Sequence, residues 1–220
     1  MKKIILLLAL SFLSFSSFSQ KKKNERKENP AKVLTKTDQL SAELVPVKDQ
    51  FRFEFNVDNK GKKDTLFTKK IDVSGNAKSA ATKNNNLPVD CRISAIKVKG
   101  TSLYCITWKE NNTNEITDKT EERTQTYSQL WNASTKTQLL SNVQTVTKIK
   151  EILWLDKLKN ASQTSEKLRN EGFVFTLTPE GDVILKNKTQ ENKLTYNTAT
   201  NKYDNIKSNT APAVKPSKKK

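Results

Sequence analysis

Gly172-Phe-Val-Phe-Thr-Leu-Thr-Pro-Glu-Gly-Asp-Val-Ile-Leu-Lys186 is the stretch that decides the fold. Pro179 suits the φ of about −65° that opens a type I turn, and Gly181 suits the left-handed bulge residue that follows it. The stretch therefore predicts two antiparallel strands joined by a three-residue loop, Pro179 to Gly181. The residues that this loop sets opposite each other are Thr178 and Asp182, Leu177 and Val183, and Phe175 and Leu185.

The predicted hairpin has one apolar face, because side chains alternate between the two faces of a strand. A single hairpin is marginally stable in water, so other strands must cover that face. Apolar alternation predicts a second hairpin from 51–57 and 64–73, and a third from 91–99 and 102–109 about Gly100-Thr101. Further strands are expected near 182–188, 192–197 and 201–205.

The sequence thus predicts a mainly β fold, an antiparallel meander that closes as a sandwich or barrel. One short α-helix is expected over 162–171, because Ser162 or Thr164 can cap its start and Gly172 suits the residue after its end. Residues 143–155 fit a strand better than a helix because Thr and Val are frequent there. Residues 38–44 fit one or two helical turns, which Pro46 would stop, and 74–88 form a long polar loop.

Four regions follow from composition. Residues 1–19 are typical of a signal peptide: Lys2 and Lys3 precede an apolar run that is shorter than a membrane span, and small residues precede Gln20. Residues 20–32 form a disordered basic linker, 33–205 one β-rich domain, and 206–220 a disordered basic tail. The mature protein is expected to be exported, to the periplasm, the cell surface or the medium, and not to span a membrane.

The chain is basic, with 40 Lys and Arg against 23 Asp and Glu and a formal net charge of +17. Residues 20–32 carry six bases and two acids, and residues 206–220 carry five bases and no acid. Such segments attract anionic glycans or lipid headgroups, or act only as solvated linkers. No nucleic acid is expected, because no nucleic-acid-binding motif accompanies the charge.

The chain contains no histidine, which excludes Ser-His-Asp and Cys-His catalysis and the commonest zinc sites. We expect no metal, no cofactor and no enzymatic activity. Carboxylates such as Glu166 and Asp182 leave a carboxylate-dependent hydrolase as an unfavoured alternative. The residues leave a disulfide between Cys91 and Cys105 open. The strand register puts these cysteines on different faces of a regular hairpin, whereas export favours a bridge.

The remaining candidate site is aromatic. Trp131, Tyr127 and Tyr196, if exposed on a sheet, can stack on sugar rings, although core packing is the more usual role of large aromatics. Trp131 and Tyr196 also begin two similar stretches, Trp131-Asn-Ala-Ser-Thr-Lys136 and Tyr196-Asn-Thr-Ala-Thr-Asn-Lys-Tyr203. The sequence therefore favours an exported, non-catalytic binding or envelope-associated protein, with a carbohydrate-binding β-domain as the alternative.

Overall fold

The computed structural model describes residues 30–47, 50–59, 61–72 and 82–206. Within these residues the chain is a meander of antiparallel strands without a helix. The predicted signal peptide, most of the predicted linker and nearly all of the predicted basic tail lie outside the described residues. The strands are β1 (Lys32–Lys36), β2 (Leu40–Val47), β3 (Gln50–Asn59), β4 (Lys62–Asp72), β5 (Thr82–Val98), β6 (Thr101–Ile116), β7 (Lys119–Asn132), β8 (Thr137–Trp154), β9 (Ser162–Gly172), β10 (Val174–Leu177), β11 (Val183–Lys186), β12 (Glu191–Asn197) and β13 (Lys202–Asn205).

The strands form three open sheets, each in sequence order: β1 to β4, β5 to β9, and β10 to β13. We call them the first, central and last sheets. The first sheet packs on one face of the central sheet and the last sheet packs on the other. The sequence predicted a sandwich or a barrel. The structure is sandwich-like, with three layers of sheet.

The larger core lies between the first and central sheets. Phe53 and Phe55 are fully buried there against Trp108, with edge-to-face ring contacts at centroid distances of 5.3 and 5.4 Å. These residues are buried together because Phe53 and Phe55 alternate on one face of β3. The buried members of this core are Leu40, Ala42, Leu44, Phe53, Phe55, Val57, Ile71, Tyr104, Ile106, Trp108, Trp131 and Ala133.

The opposite face of β6 packs on the last sheet. Leu103 and Cys105 alternate with the residues of the larger core, and they contact two small clusters that include Val183 and Tyr196. The hairpin of β10 and β11 supplies the apolar face that was predicted, with Phe175 opposite Leu185. Its turn is also confirmed, because Gly181 has a φ of 90° and its N–H donates to the Thr178 carbonyl at 3.0 Å.

The two other predicted hairpins are confirmed, one with a change of register. Strand β3 pairs with β4 over nearly its full length. In the β5–β6 hairpin the turn is Lys99-Gly100 rather than Gly100-Thr101, so Ala95 lies opposite Tyr104 instead of Ile106. The φ values of Lys99 and Gly100 are 47° and 85°, as a type I′ turn requires. The shift by two residues leaves the face of every side chain unchanged.

The helix predicted over 162–171 is wrong. This segment is strand β9, which pairs with β8 from Trp154 opposite Ser162 to Gln144 opposite Gly172. The capping signals were local, and pairing along the free edge of β8 outweighs them. Gly172 does have the left-handed backbone that the signal indicated, with a φ of 81°. It ends a strand rather than a helix.

Three other segments are settled as strands. Residues 40–47 form β2, so the helical turn considered for 38–44 is absent. Residues 143–154 belong to β8, as the Thr and Val content indicated. In the predicted polar loop 74–88, residues 82–88 are part of β5, and residues 74–81 lie outside the described residues.

The two similar stretches form similar turns that contact each other. Asn132 accepts from the backbone N–H groups two and three residues later, and Asn197 does the same in its own turn. Asn201, with a φ of 52°, accepts from Asn132 at 3.1 Å and from the Tyr196 hydroxyl at 2.7 Å. These contacts join the central sheet to the last sheet at one end of the molecule.

Candidate functional site

The central sheet extends beyond the two sheets that cover it. Among the described residues, none in 109–126 and none in 141–174 belongs to any of the three apolar clusters. We call 111–126 and 141–172 the projecting sheet; Glu110 is left out because it contacts Lys69 of β4, and Val174 because it belongs to β10. It contains the distal parts of β6, β7 and β8 and all of β9, which is exposed or half-buried throughout. A surface of this kind is the main candidate for binding.

One face of the projecting sheet, on the side of the last sheet, carries four apolar side chains on β8 and β9. They alternate with residues that face the other way, and cross-strand pairing of Lys148 with Leu168 sets the register. Leu168 is 59% exposed. Lysines and glutamates lie between these apolar positions. The apolar members are Val146, Ile152, Trp154 and Leu168.

The larger of two clefts lies where the chain passes from β9 to β10, with a volume of about 810 Å³. Amide and hydroxyl side chains line it, including Gln144, Asn170 and Thr176, together with Lys186 and Glu171. The wall depends on Gly172, because a Cβ at this position would lie 2.3 Å from the Val143 carbonyl oxygen. The cleft offers hydrogen-bonding groups of both charges and none of the predicted aromatic residues.

The smaller cleft, of about 490 Å³, lies further along the same face. Its lining includes Glu122, Glu166, Lys148 and Lys150, with Leu168. The Lys150 and Glu166 side chains are 4.0 Å apart and both well exposed, which is a weak ion pair. The described clefts thus balance bases with acids, so neither concentrates positive charge.

Three of the carboxylates available for hydrolysis, Glu121, Glu171 and Asp182, have basic partners. Lys119 hydrogen-bonds Glu121 at 2.7 Å and Lys193 hydrogen-bonds Asp182 at 2.9 Å, and each lysine lowers the pKa of its partner. Glu171 has Arg169 at 3.5 Å. A general acid needs a raised pKa. The lysines beside Glu121 and Asp182 lower the pKa of these carboxyl groups, which disfavours either as a general acid.

Tyr127 belongs to an internal ion-pair network. Its ring stacks flat on Trp108 at 4.7 Å, and the Lys69 ammonium lies 4.8 Å from the ring centroid. Lys69 also donates to both oxygens of Glu110, at 2.6 and 2.7 Å, and Trp108 Nε1 donates to Glu110 at 3.0 Å. Burial and the charge of Glu110 raise the pKa of Tyr127. The network joins the first sheet to the central sheet.

The other two predicted stacking residues are buried. Trp131 is 5% exposed and donates through Nε1 to Gln129, and Tyr196 is 2% exposed. Neither ring has a free face for a sugar, because each packs in an apolar cluster. Alternation along a strand assigns each ring to a face of its sheet. It gives no sign that the first sheet covers one face of the central sheet and the last sheet the other.

Cys91 and Cys105 are both free thiols, and the structure does not bring them together. Cys91 packs against the larger core, whereas Cys105 faces the last sheet. They therefore lie on opposite faces of the central sheet, as the predicted register required. Burial raises the pKa of Cys91 to about 12 and that of Cys105 to about 11, so neither is an activated nucleophile.

A further surface was not among the sequence predictions. At the far end of the β8–β9 hairpin, five large apolar side chains are exposed, from 38% at Ile152 to 81% at Leu158. The signal was available as four consecutive apolar residues, which a half-buried strand does not need. We call this surface the apolar tip. It consists of Ile152, Leu153, Trp154, Leu155 and Leu158.

Within the described ranges, no three His, Cys, Asp or Glu residues are grouped as metal ligands, and no helix has the length and apolar character of a membrane span. Comparison of the chain with protein-family models, with curated proteins and with solved structures finds no match. The function is therefore inferred from geometry and charge alone.

Proposed function

We propose that the protein is an exported, non-catalytic binding protein of the cell envelope, and that its basic terminal segments engage anionic envelope material. The observation that carries this proposal is the distribution of charge. The described residues contain 25 Lys and Arg and 20 Asp and Glu, so they hold +5 of the total of +17. Of the remaining +12, the segments 20–29 and 207–220 hold +8, counted without Lys2 and Lys3 of the predicted signal peptide.

The β domain supports this division of roles. Twelve of its 20 carboxylates pair with a Lys or Arg, among them Glu43 with Lys63 and Asp64 with Lys136, and its bases outnumber its acids by only five. Clustered lysines without nearby acids, as in Lys218-Lys219-Lys220, attract polyanions over about 10 Å at ordinary ionic strength. Anionic glycans and lipid headgroups are the ligands with matching charge.

The test compares two variants of the mature chain that lose the same number of charges. One replaces five terminal lysines by Gln, and the other replaces five exposed lysines of the domain. Retention on an immobilised anionic glycan is measured as the salt concentration needed for elution. The terminal set is Lys21, Lys22, Lys218, Lys219 and Lys220, and the control set is Lys36, Lys62, Lys70, Lys97 and Lys202.

We expect the terminal variant to elute at clearly lower salt than the unmodified protein, and the control variant to elute close to it. Released counterions make such binding steeply salt-dependent. Equal losses in both variants would show that only the net charge matters. An unchanged terminal variant would exclude the terminal segments as the binding element.

A further inference from the structure

We propose that the apolar tip inserts shallowly into the surface of a phospholipid bilayer. The proposal rests on the envelope association proposed above and names a second contact, made by apolar side chains rather than by terminal charge. Leu155 and Leu158 are 66% and 81% exposed at the end of the hairpin, and Trp154 is 39% exposed beside them. Ile116, at the end of the neighbouring β6–β7 hairpin, is 58% exposed.

The tip is apolar on both faces of the sheet. This favours insertion into a bilayer, which contacts both faces, over docking against a protein surface, which contacts one. Ile152 and Trp154 point to one face of β8, and Leu153 points to the other. A groove on a protein would cover one face and leave the other in water. The hydrocarbon boundary of a bilayer surrounds an inserted tip and removes both faces from water.

Three backbone N–H groups in the turn of the tip have hydrogen-bond partners within the protein. The Leu155 N–H donates to the Ala161 carbonyl at 2.9 Å, and the Lys159 N–H donates to the Asp156 carbonyl at 3.3 Å. The Asn160 N–H donates to Asp156 Oδ1 at 2.9 Å. An unpaired N–H would oppose insertion strongly, so these three bonds lower the cost of a shallow position.

The charges of the tip match the headgroup region and limit the depth. Lys157 and Lys159 flank Leu158, and the Lys159 ammonium lies 5.0 Å from the Trp154 ring centroid and 3.5 Å from Asp118 Oδ2. Trp and Lys are the residues typical of a membrane–water interface, where the ring lies at headgroup depth and the ammonium reaches phosphate. Asp156 and the two lysines keep the tip from entering the hydrocarbon centre.

Tryptophan fluorescence gives a direct readout, because the three tryptophans differ in exposure. Trp108 and Trp131 are 1% and 5% exposed, so their emission should not respond to vesicles, whereas Trp154 can respond. The mature full chain is titrated with vesicles of phosphatidylcholine alone and with phosphatidylglycerol added. We expect a blue shift that Trp154→Phe removes, and quenching by lipids brominated near the headgroup.

The double variant Leu155→Ser and Leu158→Ser should bind vesicles at least about tenfold more weakly, since each loses most of its burial free energy. Both positions are exposed, so the variant should fold, and an unchanged melting temperature checks this. Val33→Ser is the control, because Val33 is 52% exposed on β1, outside the tip. This variant should bind like the unmodified protein.

No blue shift with either vesicle, or equal binding by the double variant, would overturn the proposal. A blue shift that follows protein concentration without lipid would show that a second copy covers the tip, and would also overturn it. The two proposals fail separately. Loss of the terminal lysines should leave the Trp154 shift on phosphatidylcholine intact, and loss of the tip leucines should leave salt-dependent glycan binding intact.

Discussion

At the scale of single residues, the ion pair between Lys69 and Glu110 is a partly buried contact between two sheets. Glu110 is 4% exposed and accepts from Lys69 and from Trp108 Nε1, so its charge is compensated within the core. The two residues come from different sheets, β4 and β6. Breaking a buried pair leaves one charge without compensation, which costs more than the pair contributes when intact.

We predict that Glu110→Gln lowers the free energy of unfolding by about 2 kcal/mol, a value reduced because Lys69 remains about one-third exposed. Gln can still accept from Trp108, so the loss reports mainly on the charge. Urea denaturation followed by fluorescence measures it. Glu166→Gln is the control, because its pair with Lys150 is exposed and 4.0 Å apart, and it should have no measurable effect. Equal effects at both positions would contradict the interpretation.

At the scale of the element, the segment from β9 to β11 shows what local sequence can and cannot predict. The loop of 179–181 and its strand pairing follow from Pro179 and Gly181, because turn and alternation agree within fifteen residues. The segment before it misleads, because its capping residues favour a helix and its strand form depends on the edge of β8. Gly172 illustrates both outcomes. The sequence correctly indicated its left-handed backbone, but it indicated that Gly172 follows a helix, whereas Gly172 ends strand β9.

We predict that Gly172→Ala is markedly more destabilising than Gly61→Ala. The two glycines have nearly the same backbone, with φ values of 81° and 84°, so the strain of a side chain there, about 1 kcal/mol, is common to both. The Cβ at Gly61 meets nothing within 4 Å, whereas that at Gly172 meets a backbone oxygen at 2.3 Å. The difference, roughly 2 kcal/mol or more, isolates the clash. Equal melting temperatures of the two variants would show that the backbone around Gly172 shifts to accommodate the added Cβ without loss of stability.

At the scale of the whole molecule, the three-layer arrangement explains why the candidate site was only partly predictable. Period-two alternation assigns a side chain to a face, but it does not say which faces another sheet will cover. Trp131 and Tyr196 are buried because the first and last sheets cover opposite faces of the central one. Trp154 and Leu168 are exposed because β8 continues past that cover and β9 lies outside it. Strand length and layer overlap are global properties.

The ionisable groups of the folded protein predict that stability is highest over a middle range of pH and declines at both acid and alkaline pH. On the acid side, Glu43 is partly buried, which acts to raise its pKa, but Lys63 and Ser41 outweigh burial and lower it from 4.5. Hydrogen bonds from Lys193 likewise lower the pKa of Asp182 from 3.8. A group with a lowered pKa in the folded state stabilises above its unfolded value and loses that contribution as pH falls. Stability should therefore decline below about pH 4.5.

At alkaline pH, the change of the free energy of unfolding with pH depends on groups that burial keeps protonated in the folded protein. Burial raises the pKa of Cys91 from 9.0 to about 12, of Cys105 from 9.0 to about 11, and of Tyr203 from 10.0 to about 12. Between these values the unfolded chain has lost protons that the folded chain retains, so the free energy of unfolding falls as pH rises from 9 towards 12. Chemical denaturation at each pH should show this decline.

The double variant Cys91→Ala and Cys105→Ala separates the acid decline from the alkaline decline. It removes the two thiols, which burial keeps protonated in the folded protein, so the decline above pH 9 should become shallower, while the decline below pH 4.5 should keep its slope. Lost packing lowers the whole curve by a constant amount, and slopes are therefore compared rather than heights. An alkaline slope unchanged by the variant would mean that the thiols are already accessible in the folded protein, and that the two covering sheets do not exclude water from the central one.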